Sequence, residues 1–366
     1  MKINISFFAS RTISWYMARM FVVRSMAVLA ALTVVLMALD LLGESGDILA
    51  YPGNGDAQLW YYVSLRLPQI VSRFLPFSVL LGTLITLATM NQNSEIISMK
   101  AAGISAHQIL APLVVASLVI SGLAFWFNDH VVARATAVLT AWQDVDYGAI
   151  PKAHGVVPNV WVRDGDDLIH AERVLPAGGK VVLQGVNYYD RNRARLVATA
   201  TADRGVYTGH GWLLQKVRRF DVASGKVADL PTMLVGRGVT PDRFTLASVN
   251  GDGMSFRGLA ASIDALRAAG RPTASLETVL WHKISGALSA VLMPLLAGVA
   301  GFGLARSGVL FIRAVIGMAL GFAYFVADNF ALAMGNIGAY PPLLAAWAPF
   351  LLFLLIGEAV LIRTEE

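Results

Sequence analysis

Residues 109–146 read ILAPLVVASLVISGLAFWFNDHVVARATAVLTAWQDVD. The run through Phe127 carries no charge, and about 20 mostly apolar residues in a helix cross a hydrocarbon core. From Asn128 onward polar and charged residues return: Asp129, His130, Arg134, Asp144, Asp146. The pattern predicts a helix that leaves the membrane and continues outside it over 129–146. A soluble segment is therefore inserted in a membrane chain.

The rest of the sequence agrees. Hydrophobic residues make up 56% and charged residues 14%, where a soluble domain has about 25% charged; the mean hydropathy is +0.60. A disordered chain, a coiled coil and an ordinary cytosolic enzyme are excluded. Five further stretches are long and apolar enough to span: 20–42, 68–90, 279–304, 311–334 and 342–362. The first is too long for a signal h-region and lacks a clean cleavage site, so it reads as a span. Cysteine is absent, which excludes disulfides and Cys-based metal sites.

Six spans put both termini on one side. Lys2, Arg11, Arg19, Lys100, Arg306, Arg313 and Arg363 share that side, whereas the short opposite loops hold Arg66 with Glu44, Asp47 and Asp56. Lys/Arg bias places both termini in the cytoplasm and the large insert outside. The expected domains are 1–127 with three spans, 128–278 as the outside domain, and 279–366 with three more. Of 29 Lys and Arg residues, 18 lie within 128–278 beside 15 of the 24 acids. The mixture lacks a basic face with interleaved aromatics, so no nucleic-acid partner is expected.

Within the insert, short strand patterns are separated by turn clusters: 164–166, His210-Gly211 and Ser224-Gly225. Strand patterns are expected at Val160, Val162 and Leu168 on either side of 164–166, over 180–189 and 195–201, over 205–215 about the His210-Gly211 hairpin turn, and over 218–222 and 226–235. Their spacing suggests a β-sandwich or roll. An amphipathic helix over 255–269 leads back to the membrane.

Chemistry is sparse. Gly-Lys occurs at Gly179-Lys180 and Gly225-Lys226, each followed by Val, so there is no phosphate-binding P-loop. Energy from ATP would have to come from a partner. Cations near the outer membrane boundary are Arg66, Arg73, His282 and Lys283. Asp328 lies within the fifth span, where an acid is a functional candidate, and is expected to pair with Arg73 or Lys283. Glu358 is expected to pair with Arg363. Leu29, Leu32, Leu36 and Leu39 on the first span, and Ile316, Leu320 and Phe325 on the fifth, are candidate lining for an apolar cavity; each also fits ordinary packing.

The link NQNSEIISMKAAGISAHQ, 91–108, predicts a short helix over 93–103. Asn93 or Ser94 caps it, Glu95 favours its N-terminus, and Gly103 ends it. Ser105 with Gln108 forms a capping box for the third span. By itself this is an interfacial helix or a coupling helix for a cytoplasmic ATPase.

The stretch 67–103, LPQIVSRFLPFSVLLGTLITLATMNQNSEIISMKAAG, resembles the LptF/LptG permeases of the lipopolysaccharide-export ABC transporter. The matching elements are the Leu-Pro before the second span, the Pro76 region, and Ser94-Glu95 with Met99, Ala101, Ala102 and Gly103. The tail 338–361, GAYPPLLAAWAPFLLFLLIGEAVL, is similar to the family's last span, especially of the LptG type. The resemblance implies six transmembrane helices with an inserted all-β periplasmic jellyroll, in the bacterial inner membrane. It implies a heterodimer with an LptF-type paralogue on an LptB-type ATPase dimer, which holds ATP and magnesium; this chain would bind no cofactor and catalyse nothing. The substrate is lipopolysaccharide, passed onward to LptC and LptA. The coupling residues would be Ser94, Glu95, Met99, Lys100 and Gly103. One departure stands out: some LptG-type chains carry a Lys toward the outer half of the first span, where this chain has Met37 and Asp40.

Two other classes remain open at this level. A secondary transporter would show an internal repeat, and none is visible. A membrane scaffold with a partner-binding β domain would purify without an ATPase.

Overall fold

The computed structural model describes residues 10–148, 157–177, 180–192, 195–241, 244, 251–268, 272–301 and 309–363. They form two compact units. One comprises 1–49, 54–137 and 251–366, and the other comprises 50–53 and 138–250. The unit carrying the sheet is narrower than 128–278, because the helical residues on either side of it cluster with the membrane helices.

The helical unit contains α1 (Arg11–Ala50), α2 (Asp56–Gln92), α3 (Glu95–Ala101) and α4 (Ala106–Phe127). A π-helical turn, Asn128–Val132, joins α4 to α5 (Ala133–Gln143), so the third span continues past its apolar stretch as expected. After the sheet come α6 (Phe256–Ala268), α7 (Ala274–Gly301), α8 (Val309–Asn336) and α9 (Pro342–Arg363). Six of these stretches are long and apolar enough to cross a membrane. In hydrocarbon, every backbone polar group must be satisfied within the chain, which a helix does by itself.

The spans pack unequally. α7 lies against α2, α4, α8 and α9, burying Leu292, Met293, Leu295, Leu296 and Ala297. Of the apolar window of α2, 56% is buried, against 17% for α1 and 22% for α8. α1 turns one stripe inward, Met17, Phe21, Ser25, Leu29, Thr33 and Met37, the i, i+4 spacing of one helix face. Ile13, Met20 and Val22 pack partly against the same core, and much of the rest of α1 is exposed.

The second unit holds six antiparallel strands: β1 (Val157–Asp164), β2 (Asp167–Ala177), β3 (Lys180–Asn192), β4 (Arg195–Tyr207), β5 (Trp212–Asp221) and β6 (Val227–Val235). Each pairs with its sequence neighbours, so the described strands form a meander. One face buries Val160, Ile169, Leu183, Val186, Ala200, Trp212, Leu214 and Val217. The turn expected at His210-Gly211 lies between β4 and β5, whereas the break expected between 215 and 218 is absent, since β5 runs continuously across it.

A crease crosses this sheet. On β2 the inward residues are Ile169 and Ala171, then Val174; on β5 they are Trp212 and Leu214, then Val217. β3 and β4 switch at the paired positions, with Leu183 then Val186, and Ala202 then Gly205. Two consecutive residues face outward on each of these four strands, in matching register. Gly185 at φ 60° and Lys216 at φ 54° supply left-handed turns within it. A side chain at Gly185 would be strained by its left-handed φ and would press on the side chain of Glu172, which would have to move.

Candidate functional site

The short helix α3 lies between the second and third spans. Ser94 precedes it at φ 60° with its hydroxyl uninvolved in capping. Its end is a double closure: Gly103 N–H donates to Lys100 O and Ile104 N–H to Met99 O, each at 3.0 Å. Gly103, at φ 83°, adopts the left-handed conformation this motif requires. Ile96 and Met99 are buried in the helical core, and Lys100 faces outward. The capping box forms as expected: Gln108 N–H donates to Ser105 Oγ at 3.2 Å, and Ser105 N–H to Gln108 Oε1 at 3.1 Å. Glu95, in the first turn, accepts from Tyr16 Oη of α1 and from Asn93 Nδ2, both at 3.3 Å.

α1 is fastened to α2 at two further heights. Arg24 Nη1 donates to Ile85 O at 3.1 Å. Beside it Ser25 meets Gly82, where a Cβ would fall 2.6 Å from Ser25 Cα. Toward the other end, Asp40 accepts from Tyr62 Oη at 2.7 Å and from Arg66 Nη2 at 2.8 Å. Arg66 also donates to Gln69 Oε1 at 2.8 Å. The Arg66 charge is thus answered within the chain. The sequence reading missed this pair because the partners are 26 residues apart on different helices.

The other candidates are dispersed. Asp328 pairs with neither Arg73 nor Lys283; its Oδ2 lies 3.0 Å from Nε2 of His282, joining α8 to α7. Arg73 is exposed on α2. Lys283 is half-buried and lies in the field of Asp252 and Asp129. Glu358 meets His107, 3.5 Å from Nε2, which ties the end of α9 to the start of α4. Among the proposed cavity lining, Leu39, Ile316 and Phe325 are exposed, while Leu32, Leu36 and Leu320 are half-buried. Leu29 belongs to the inward stripe of α1 and packs inside the chain.

One feature escaped the sequence reading. The π turn widens the helix beside α6, and a cavity of about 580 Å³ opens there, lined by Phe125, His130, Arg134, Phe256 and Arg257 among others. Asp129 fixes it by accepting from the Phe256 backbone N–H. His130 and Arg134 at i and i+4 were the available signal. Among the described residues no group of three His, Asp or Glu stands ready for a metal.

The comparisons agree with this architecture. Residues 15–363 match the family model of the lipopolysaccharide export system permease LptF/LptG. The chain is 26% identical over 353 residues to the lipopolysaccharide export system permease protein LptG of Escherichia coli K12, covering 93% of this chain and 94% of that one. It is 25% identical to the LptG of Haemophilus influenzae, over 86% of this chain and 89% of that one.

Proposed function

The chain belongs to the LptF/LptG family of lipopolysaccharide export system permeases, and from this we propose how it works. It is a permease subunit that carries no catalytic centre of its own. It forms a heterodimer with an LptF-type paralogue in the bacterial inner membrane, with both termini cytoplasmic and the six-stranded domain periplasmic. An LptB-type ATPase dimer, holding ATP and magnesium, docks on the cytoplasmic face. Lipopolysaccharide leaves the membrane through the complex and passes to LptC and LptA.

The observation that carries this reading is α3. A helix of seven residues, closed at its C-terminal end by Gly103 and rooted in the core by Ile96 and Met99, presents Glu95, Ser94 and Lys100 at the end of the bundle. A rigid, charged knob anchored by apolar side chains transmits force between chains better than a loop does. Glu95 is the natural mate of a cation on the ATPase. Gly103 sets where the helix stops.

The apolar path is proposed along the unburied faces of α1 and α8, where Leu32, Leu36, Leu39, Ile316, Leu320 and Phe325 lie. Burial of acyl chains against such faces costs little, because both are already solvated by lipid. Arg73, exposed within the second span, is placed to meet a substrate phosphate. The cavity of Arg134, Arg257 and His130 offers a second cationic position, in place of the Lys that this first span lacks. His282, Lys283 and Asp328 lie near the same boundary, and Arg66 acts through its pair with Asp40.

The test is co-purification. Expressed with its genomic neighbours, the chain should bring down an ATPase and a second six-span protein. Glu95→Lys should release the ATPase while membrane insertion continues. Recovery of the chain alone from wild-type membranes would overturn the proposal.

A further inference from the structure

We propose that Tyr16 is a positioning residue for the coupling carboxylate of Glu95, and that this contact joins the ATPase-facing helix to the first span. The inference rests on the coupling role proposed above for α3.

The Tyr16 contact is exposed and long, at 3.3 Å, and what sets it apart is that a second donor converges on the same oxygen. Tyr16 and Asn93 both donate to Oε1 of Glu95; Oε2 takes no donor among the described residues. Both donors are neutral. They orient the carboxylate without cancelling its charge, which remains for a cation on the partner. Next to Tyr16, Met17 and Phe21 belong to the same apolar core as Ile96 and Met99, so both sides of the contact are rooted in one packed body.

The mechanical consequence follows from the build of α1. Over its 40 residues it contains no proline, whereas α2 carries Pro68 and Pro76. Sharp kinks arise chiefly at proline, and an unbroken helix of this length spans about 60 Å. Little of α1 is buried within the chain, and it is held to α2 at discrete points, by Arg24 on Ile85 O, by Ser25 against Gly82 and by Asp40 with Tyr62 and Arg66. Displacement of Glu95 by the ATPase therefore reaches Leu32, Leu36 and Leu39 along one rod, which on the way carries the α1–α2 contacts at Arg24 and Ser25.

The experiment uses the complete transporter, with the ATPase dimer and second permease, in lipid nanodiscs loaded with lipopolysaccharide. Two quantities are read: lipopolysaccharide released per ATP hydrolysed, and the KM for ATP. Tyr16→Phe removes one hydroxyl. It is expected to lower the release ratio about threefold, within the range of a single hydrogen bond, with KM and complex yield unchanged. Glu95→Gln should lower the ratio further, and the double variant should match Glu95→Gln alone. A wild-type ratio for Tyr16→Phe beside an impaired Glu95→Gln overturns the positioning role and leaves the coupling reading intact. A wild-type ratio for Glu95→Gln overturns both. Losses that multiply in the double variant, or a Tyr16→Phe complex that fails to assemble, also overturn the positioning role.

Discussion

Asp40 and Arg66 meet at two points, Nη2 to Oδ1 at 2.8 Å and Nε to Oδ2 at 3.0 Å. The two-point geometry fixes the guanidinium plane and closes one end of the α1–α2 pair. With Tyr62 joining them, Asp40 is the hub: removing it takes an acceptor from a buried phenol and the counter-ion from a half-buried cation together.

Asp40→Ala should therefore destabilise the chain by about 2 kcal/mol, discounted for the partial exposure of both ion-pair side chains. Tyr62→Phe should cost less, on the order of 1 kcal/mol, since the ion pair survives. Thermal unfolding in detergent gives the order. A Tyr62→Phe loss equal to that of Asp40→Ala would contradict the hub.

Helices approach closely in membranes through small residues, and Ser25 against Gly82 is such a crossing. Gly82→Leu is expected to separate α1 from α2, breaking the Arg24 bond to Ile85 O. A disulfide engineered near the crossing would report the gap. Wild-type crosslinking in Gly82→Leu would show that the helices do not meet there.

The sheet should show a histidine-linked pH dependence. Burial holds His170 below its ordinary value, opposed in part by Glu172. Its ring lies 4.4 Å from that of Trp161, and Asn187 Nδ2 is 3.2 Å from Nδ1. Because the folded value is depressed, the unfolded chain binds the proton more readily. The contribution is present above the unfolded value of about 6.5 and is lost as pH falls through the folded one. The urea midpoint of the sheet's unfolding, read at pH 7.5 and 5.5, should drop more in wild type than in His170→Gln.

Lys216 holds a left-handed backbone at the crease, which costs a non-glycine residue about 1 kcal/mol. Its ion pair with Asp203, 3.3 Å apart and exposed, returns little. Lys216→Gly should leave the sheet unchanged or raise its stability by up to about 1 kcal/mol. A clear loss of stability would show that Asp203 matters more than backbone strain.

Much of this architecture was legible in the sequence because lipid is an exacting solvent. A span has a required length and composition, so six spans and an inserted β domain followed from counting. The capping box at Ser105 and the glycine stop at Gly103 were legible because they are local. Pairs across helices were not. Asp328 with His282, Glu358 with His107 and Arg66 with Asp40 depend on helix rotation, which hydropathy alone does not give. The continuous β5 was read as two strands for a related reason. Alternation is the signal for a strand, and at Gln215–Lys216 the crease interrupts it without ending the pairing.

The placement of α7 sets an order of events. α2 and α4 pack against α7, yet the whole sheet lies between them in the chain. During synthesis the first spans leave the ribosome without the surface they eventually cover. The polar insert leaves the ribosome, and can fold, before α7 exists. The membrane half is thus completed last, when the chain's final quarter supplies its centre, and until then the faces of α2 and α4 that α7 will cover need lipid or an insertase to shelter them.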